Sequence, residues 1–100
     1  MRLRILESAK EDLIDGYHFY EEQSPGLGTY FLDSLFSDID SLVLYGGIHR
    51  KVFGSHRALS KRFPFAIYYD LVPNEFQVHA VLDCRRRPSW IRRKLKRPNI

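Results

Sequence analysis

Cysteine is almost missing from this chain. Cys84 is the only one, which excludes an intramolecular disulfide and a multi-cysteine zinc site. Long apolar runs are missing too. No stretch approaches the roughly 20 residues of a membrane span, and the N-terminus lacks the apolar core of a signal peptide. The reading that follows is a cytoplasmic chain from a reducing compartment, with no membrane partner. No phosphate-cradling glycine loop is present: Gly46-Gly47 and Gly26-x-Gly28 lack both the Lys-Ser/Thr pair and the full dinucleotide fingerprint. His18, His49, His56 and His79 are scattered, none beside a second ligand at standard spacing. Neither a metal nor a cofactor is expected.

Acidic residues are missing from one end. The first 45 residues hold 3 basic and 9 acidic side chains, a net of −6; the last 55 hold 13 and 3, a net of +10. From Arg85 onward there are 8 basic residues and no acidic one. Such a field attracts a polyanion or an acidic protein segment. The 100 residues, 44% of them hydrophobic, are enough for one packed domain spanning 1–100 and too few for two.

The elements follow from periodicity. Leu3 and Ile5 mark a short strand over Arg2 to Leu6. Ser8 and Glu11 have capping-box spacing, predicting a helix start at Ser8. Ala9, Leu13, Tyr17 and Tyr20 make one apolar stripe. Ser24, Pro25, Gly26 and Gly28 break it. A second helix is expected from about Leu27 to Leu44, with Phe31, Leu35, Ile39 and Leu42 on one face and a left-handed cap at Gly46 and Gly47. Ile48 to His56 reads as a loop or ragged strand, and Arg57 to Phe63 as a strand. Phe65 to Val72 and a strand carrying Phe76, Val78, Ala80 and Leu82 form a hairpin with one buried face. Pro88, Ser89, Trp90, Ile91 and Leu95 suggest a short basic helix. The order β-α-α-β-β-β defines an α+β domain: an antiparallel sheet, the first strand at its edge or centre, with the helix hairpin on one face and a short basic C-terminal helix or tail.

Chemistry can rest only on a few groups. Cys84 lacks a recognisable base nearby, although flanking arginines favour its thiolate. Arg57, Lys61, Arg62, Arg85, Arg86 and Arg87 lie on strands or strand ends that a meander brings together, and guanidinium forks bind phosphate and stabilise a phosphorane. Trp90, Tyr68 or Tyr69 offers a stacking surface for a base. His79, Asp83 and His56 are the candidate proton-transfer groups. No acid–base pair stands out, so binding ranks above catalysis. Trp90, with Ile91 and Leu95, reads first as an anchor pinning the tail to the sheet. Tyr17 and Tyr20 read as core or partner groove.

The stretch Arg57-x-Leu59-x-Lys61-Arg62-Phe63-Pro64-Phe65-Ala66-Ile67-Tyr68-Tyr69 resembles the central pattern of the RelE/ParE toxin superfamily. So does Val78-His79-Ala80-Val81-Leu82-Asp83-Cys84-Arg85-Arg86-Arg87-Pro88. Upstream, Ala9-x-x-Asp12-Leu13 with Tyr17 and Tyr20, then Gly26-Leu27-Gly28 and Phe31, is similar to the helix hairpin of the ParE branch. The resemblance covers nearly the whole chain in the right order. It implies a bacterial type II toxin of the plasmid-stabilisation kind, neutralised by a cognate antitoxin in a hetero-oligomer. The antitoxin would lay a helix on the hairpin, at Leu13, Tyr17, Tyr20, Phe31 and Leu35, and pair an extended piece with the sheet. RelE-type members cut mRNA on the ribosome with basic residues and a late tyrosine; this chain has no tyrosine after Tyr69, and the ParE pattern fits better. The implied activity is growth arrest by poisoning DNA gyrase, through binding by Arg57, Lys61, Arg86, Trp90, Arg92 and Arg93. The alternative is a ribosome-dependent, metal-independent mRNA endonuclease using Arg62, Arg85 and Arg87, or a non-toxic remnant that only binds antitoxin.

Overall fold

The structure is a computed structural model, and it describes residues 1–98; 99 and 100, the end of the expected 1–100 domain, lie outside the described residues. The elements are β1 (Arg2–Ile5), α1 (Glu7–Glu21), α2 (Leu27–Asp40), the single turn α3 (Leu42–Tyr45), β2 (Lys51–Val52), β3 (Ser55–Leu59), β4 (Phe65–Val72), β5 (Glu75–Asp83) and α4 (Pro88–Leu95). The fold is α+β, as the periodicity and spacing predict. The five strands are ordered β1-β5-β4-β3-β2. β2 to β5 form the antiparallel meander, and β1 takes the edge beside β5, running parallel to it. The sheet is therefore mixed rather than wholly antiparallel. Geometry requires this: α1 and α2 return the chain across one face before the meander starts.

Three boundaries differ from the sequence reading, each for a tertiary reason. The first helix begins at Glu7 with Leu6 as its cap residue, and no side chain caps it. Leu6 N–H still bonds Val78 O of β5 (2.9 Å), which carries the chain onward and brings the Ser8 hydroxyl to His79 O (2.7 Å). A buried acceptor on β5 thus takes the group that was expected to cap the helix. The strand expected over Arg57 to Phe63 occupies Ser55–Leu59. Asp38 Oδ2 of α2 accepts from Ser60 Oγ (2.7 Å) and Lys61 N (3.2 Å) and draws the chain off the sheet. Phe63 then inserts among Tyr20, Tyr30 and Phe31. The second helix breaks at Ser41, and the left-handed residue behind it is Gly47 (φ 94°) alone; Gly46 is extended.

The main core lies between the helix hairpin and the sheet, where Ala9, Leu13, Phe31, Leu35 and Ile39 meet Ile67, Tyr69 and Val78. The hairpin turn is held by Glu21, whose carboxylate accepts from the Gly26 and Gly28 N–H groups (2.9–3.1 Å). A second, smaller core lies on the opposite face, where Ala66, Tyr68, Ala80 and Leu82 meet Ile91, Trp90 and Leu95 of α4. The expectation of one buried face on the β4–β5 hairpin is thereby corrected. A bulge makes the difference: Tyr68 pairs with Ala80 but Tyr69 pairs with Val78, leaving His79 extra. The extra residue inverts the alternation. Phe76, Val78 and Val81 face the helix hairpin, whereas Ala80 and Leu82 face α4.

Candidate functional site

The basic side chains expected to act together are spread over separate surroundings. Arg57 on β3 is paired in register with Tyr68 of β4. Burial still raises the Tyr68 pKa above its ordinary value, against the pull of Arg57. Lys61 and Arg62 stand exposed on the 60–64 loop, with the Arg62 guanidinium 6.0 Å from the Tyr30 ring of α2. Arg85 forms a two-pronged ion pair with Asp83, through Nε (3.0 Å) and Nη2 (2.8 Å). Arg86 stacks on Trp90 at 4.6 Å, and Lys94 stands 5.6 Å from the same ring. Arg87 caps α4 in an extended conformation. Arg92 lies over Phe53 at 5.2 Å, and Arg93 is exposed.

The proton-transfer candidates are equally committed. Asp83 is held below the usual carboxylate range: burial acts upward, but the Arg85 hydrogen bonds and charge outweigh it. His56 stacks on Tyr69 and its Nδ1 contacts His49 O (2.6 Å). His79, the bulged residue of β5, is 3% exposed. Its Nε2 lies 2.9 Å from Ser55 Oγ, which also donates to Asp70 Oδ1 (3.0 Å). Ser, His and Asp are thus neighbours, but Ser55 and Asp70 meet the same ring nitrogen, whereas a relay needs them on opposite nitrogens. The Cys84 thiol is pushed up by burial despite nearby Arg57 and Arg85, so the arginines do not make it a reactive thiolate. Among the described residues no group of three His, Cys, Asp or Glu side chains is placed to hold a metal. No helix there is long and apolar enough to cross a membrane.

Of the five side chains expected to meet an antitoxin, Leu13, Tyr20, Phe31 and Leu35 are buried in the main core, and Tyr17 is half-buried. The apolar groups that reach solvent on the hairpin are Ile14, Phe19, Tyr30 and Phe36. They lie off the buried stripe, and that offset from the stripe is the signal that marks them in the sequence. Val43, Leu44, Tyr45 and Ile48 extend the apolar surface beyond α2. Between α1 and α4 a groove of about 270 Å³ is lined by Phe19 and Asp15 on one side and by Arg86 and Trp90 on the other. The surface here thus combines exposed apolar groups with cations stacked on aromatic rings.

A fold in which an α-hairpin covers one face of a five-stranded sheet also occurs among solved structures. A chain in the structure of the chromosomal ParDE TA system from P. aeruginosa superposes with a TM-score of 0.72, covering 81% of this chain and 92% of that one at 22% identity. The likeness is one of backbone fold. No protein-family model matches the sequence, and no curated protein matches it.

Proposed function

We propose that this chain is the toxin of a type II toxin–antitoxin pair, ParE-like, which arrests growth by binding and poisoning DNA gyrase in the bacterial cytoplasm. The observation that carries the reading is the backbone match, over 81% of the chain, to a chain of a toxin–antitoxin system. Binding rather than bond-breaking is favoured by the engagement of Arg85 with Asp83 in a two-pronged ion pair. In this reading a cognate antitoxin covers Ile14, Phe19, Tyr30 and Phe36, while Leu13, Tyr20, Phe31 and Leu35 hold the hairpin rigid beneath it and Tyr17 reaches the rim. The target meets the basic side, at Arg57, Lys61, Arg86, Trp90, Arg92 and Arg93.

Labelled thymidine and labelled amino acid incorporation, followed for minutes after induction without antitoxin, test this. Thymidine uptake is expected to fall first, with a DNA-damage response. The Arg85→Ala, Arg87→Ala double variant is expected to arrest growth as wild type does. If amino acid incorporation falls first and the double variant is harmless, the chain is a ribosome-dependent mRNA endonuclease instead. If neither label falls, the chain is a non-toxic antitoxin-binding remnant.

A further inference from the structure

The 46–50 loop joins α3 to β2 and is tied down by one hydroxyl. That hydroxyl belongs to Tyr69 of β4, which is fully buried in the main core. It accepts from Gly47 N–H (2.8 Å) and lies 2.7 Å from His49 Nδ1. Gly47 reaches it from a left-handed conformation (φ 94°) that suits glycine. His56 of β3 stacks on the Tyr69 ring, with centroids 5.0 Å apart and planes at 20°. Its Nδ1 lies 2.6 Å from His49 O. A carbonyl only accepts, so His56 Nδ1–H is the donor in that contact. The Tyr69 hydroxyl has one proton to give. Gly47 N–H can only donate to it, so the proton goes to His49 Nδ1, which must be bare. His49 is thereby fixed as the neutral tautomer with its proton on Nε2.

The next proton that His49 takes must land on Nδ1. The hydroxyl would then face two donors, and its own proton would have no acceptor among the described residues. Tyr69 is sealed from water, so an unpaired hydroxyl there is costly. The titratable groups facing the His49 ring are Tyr69 from β4 and His56 from β3, and Arg50 follows it in the chain. None of these supplies a negative charge to hold an imidazolium. We propose that Tyr69, His49 and His56 form a pH-sensitive catch: neutral His49 ties the 46–50 loop to the sheet, and a proton on Nδ1 releases it. Burial and the neighbouring His56 both lower the His49 pKa, which agrees with this geometry. The open loop therefore takes the proton first. The catch is closed above about pH 6.5 and weakens as pH falls. Release frees Gly47 and the exposed Ile48, while the Tyr69 ring stays packed edge-on against Phe76. The inference stands on these contacts alone, independently of the gyrase reading.

The test is NMR on the whole ¹⁵N-labelled chain, reading the imidazole nitrogens and the hydrogen-exchange protection of the Gly47 amide between pH 7.5 and pH 5. At pH 7.5 His49 Nδ1 is expected to be unprotonated. Below about pH 6.5 the Gly47 protection factor, corrected for intrinsic exchange, is expected to fall by up to roughly tenfold per pH unit, the slope of one linked proton. Tyr69→Phe keeps the ring and removes the hydroxyl, so Gly47 should be unprotected already at pH 7.5, with no further step. His49→Asn offers an acceptor near the Nδ1 position that takes no proton, and Gly47 should stay protected down to pH 5. This second variant leaves the core untouched, so it decides the matter even if Tyr69→Phe folds poorly. His79→Gln, remote from the catch, should leave the Gly47 step in place. A protonated Nδ1 at pH 7.5, Gly47 protection that ignores pH in the wild type, or a step that persists in His49→Asn would each overturn the proposal. So would a step that disappears in His79→Gln, because the loop would then follow the buried histidine of β5.

Discussion

At the scale of single residues, one tight constraint is the approach of α1 to α2. A Cβ on Gly16 would lie 2.5 Å from two atoms of the Phe31 ring. Phe31 is fully buried and packed against Tyr20, Phe63 and Phe65, so the ring has nowhere to retreat. Replacing glycine in a helix by alanine ordinarily stabilises by up to about 1 kcal/mol. Overpacking a core costs about 1–3 kcal/mol. The clash wins, and Gly16→Ala is expected to lower the urea midpoint; an unchanged or raised midpoint would show that the hairpin can open without cost. The sequence marks Gly16 only as a glycine inside an apolar helical stripe. That Phe31 fills the space opposite is a fact of packing.

At the scale of elements, α4 is the piece whose attachment is decided farthest from its own sequence. Its apolar side is small, namely Ile91 with Trp90 and Leu95. Just past its end, Arg97 makes a two-pronged ion pair with Asp12 of α1, with Nη1 to Oδ1 at 2.7 Å, and Nη2 donates to Ser8 O (3.2 Å). The side chains are 18% and 3% exposed, and Asp12 also accepts from Val81 N (2.9 Å). Arg97→Ala would leave a buried carboxylate with one backbone donor. Breaking a buried pair costs about 3–5 kcal/mol; with the Val81 donor retained, about 3 kcal/mol is expected. Trp90 is the sole tryptophan, so its emission should shift to the red as α4 loosens. A variant with wild-type emission and a loss under about 1 kcal/mol would show that the apolar contacts alone hold the helix.

At the scale of the whole molecule, stability should fall on the acidic side in two stages. The Ser55 hydroxyl proton goes to Asp70, so His79 Nε2–H donates to Ser55 Oγ, and the neutral ring leaves Nδ1 bare, buried and without a partner among the described residues. Burial lowers the His79 pKa, Asp70 and Asp12 oppose this, and Arg97 adds to it. His49 is lowered as well, by burial and by His56. A depressed histidine pKa means that the unfolded chain takes the proton first. Stability is therefore complete above about pH 6.5 and declines as pH falls below it. Asp83, depressed by Arg85, adds a second loss below about pH 4. Urea midpoints should be higher at pH 7.5 than at pH 5.5, and His79→Gln should flatten the difference. Equal midpoints would remove His79 from the account, and an unflattened slope in the variant would assign the effect to His49.

Much of the architecture was legible in the chain itself. The stripe Ala9, Leu13, Tyr17, Tyr20 and the alternation of Phe65, Ile67 and Tyr69 specify a helix and a strand through periods that local geometry enforces. Trp90, Ile91 and Leu95 likewise mark the tail helix as an anchor, and they pack on the β4–β5 face. The charge division was plain arithmetic. What the sequence could not express is partnership between distant residues. Asp38 ends β3, His79 inverts the face of β5 by bulging, Ser8 turns from cap to tertiary donor, and the hairpin draws Leu13, Tyr20, Phe31 and Leu35 inward while Ile14, Phe19, Tyr30 and Phe36 stay out. The same holds for the site: the arginine-rich run was visible, but its distribution among Asp83, Trp90, Tyr30 and Phe53 was not. Period and composition are local properties, set within a turn or two of chain. Hydrogen-bond partners, burial and the space beside a glycine depend on residues from 15 to 89 positions away, and only the packed fold brings them together.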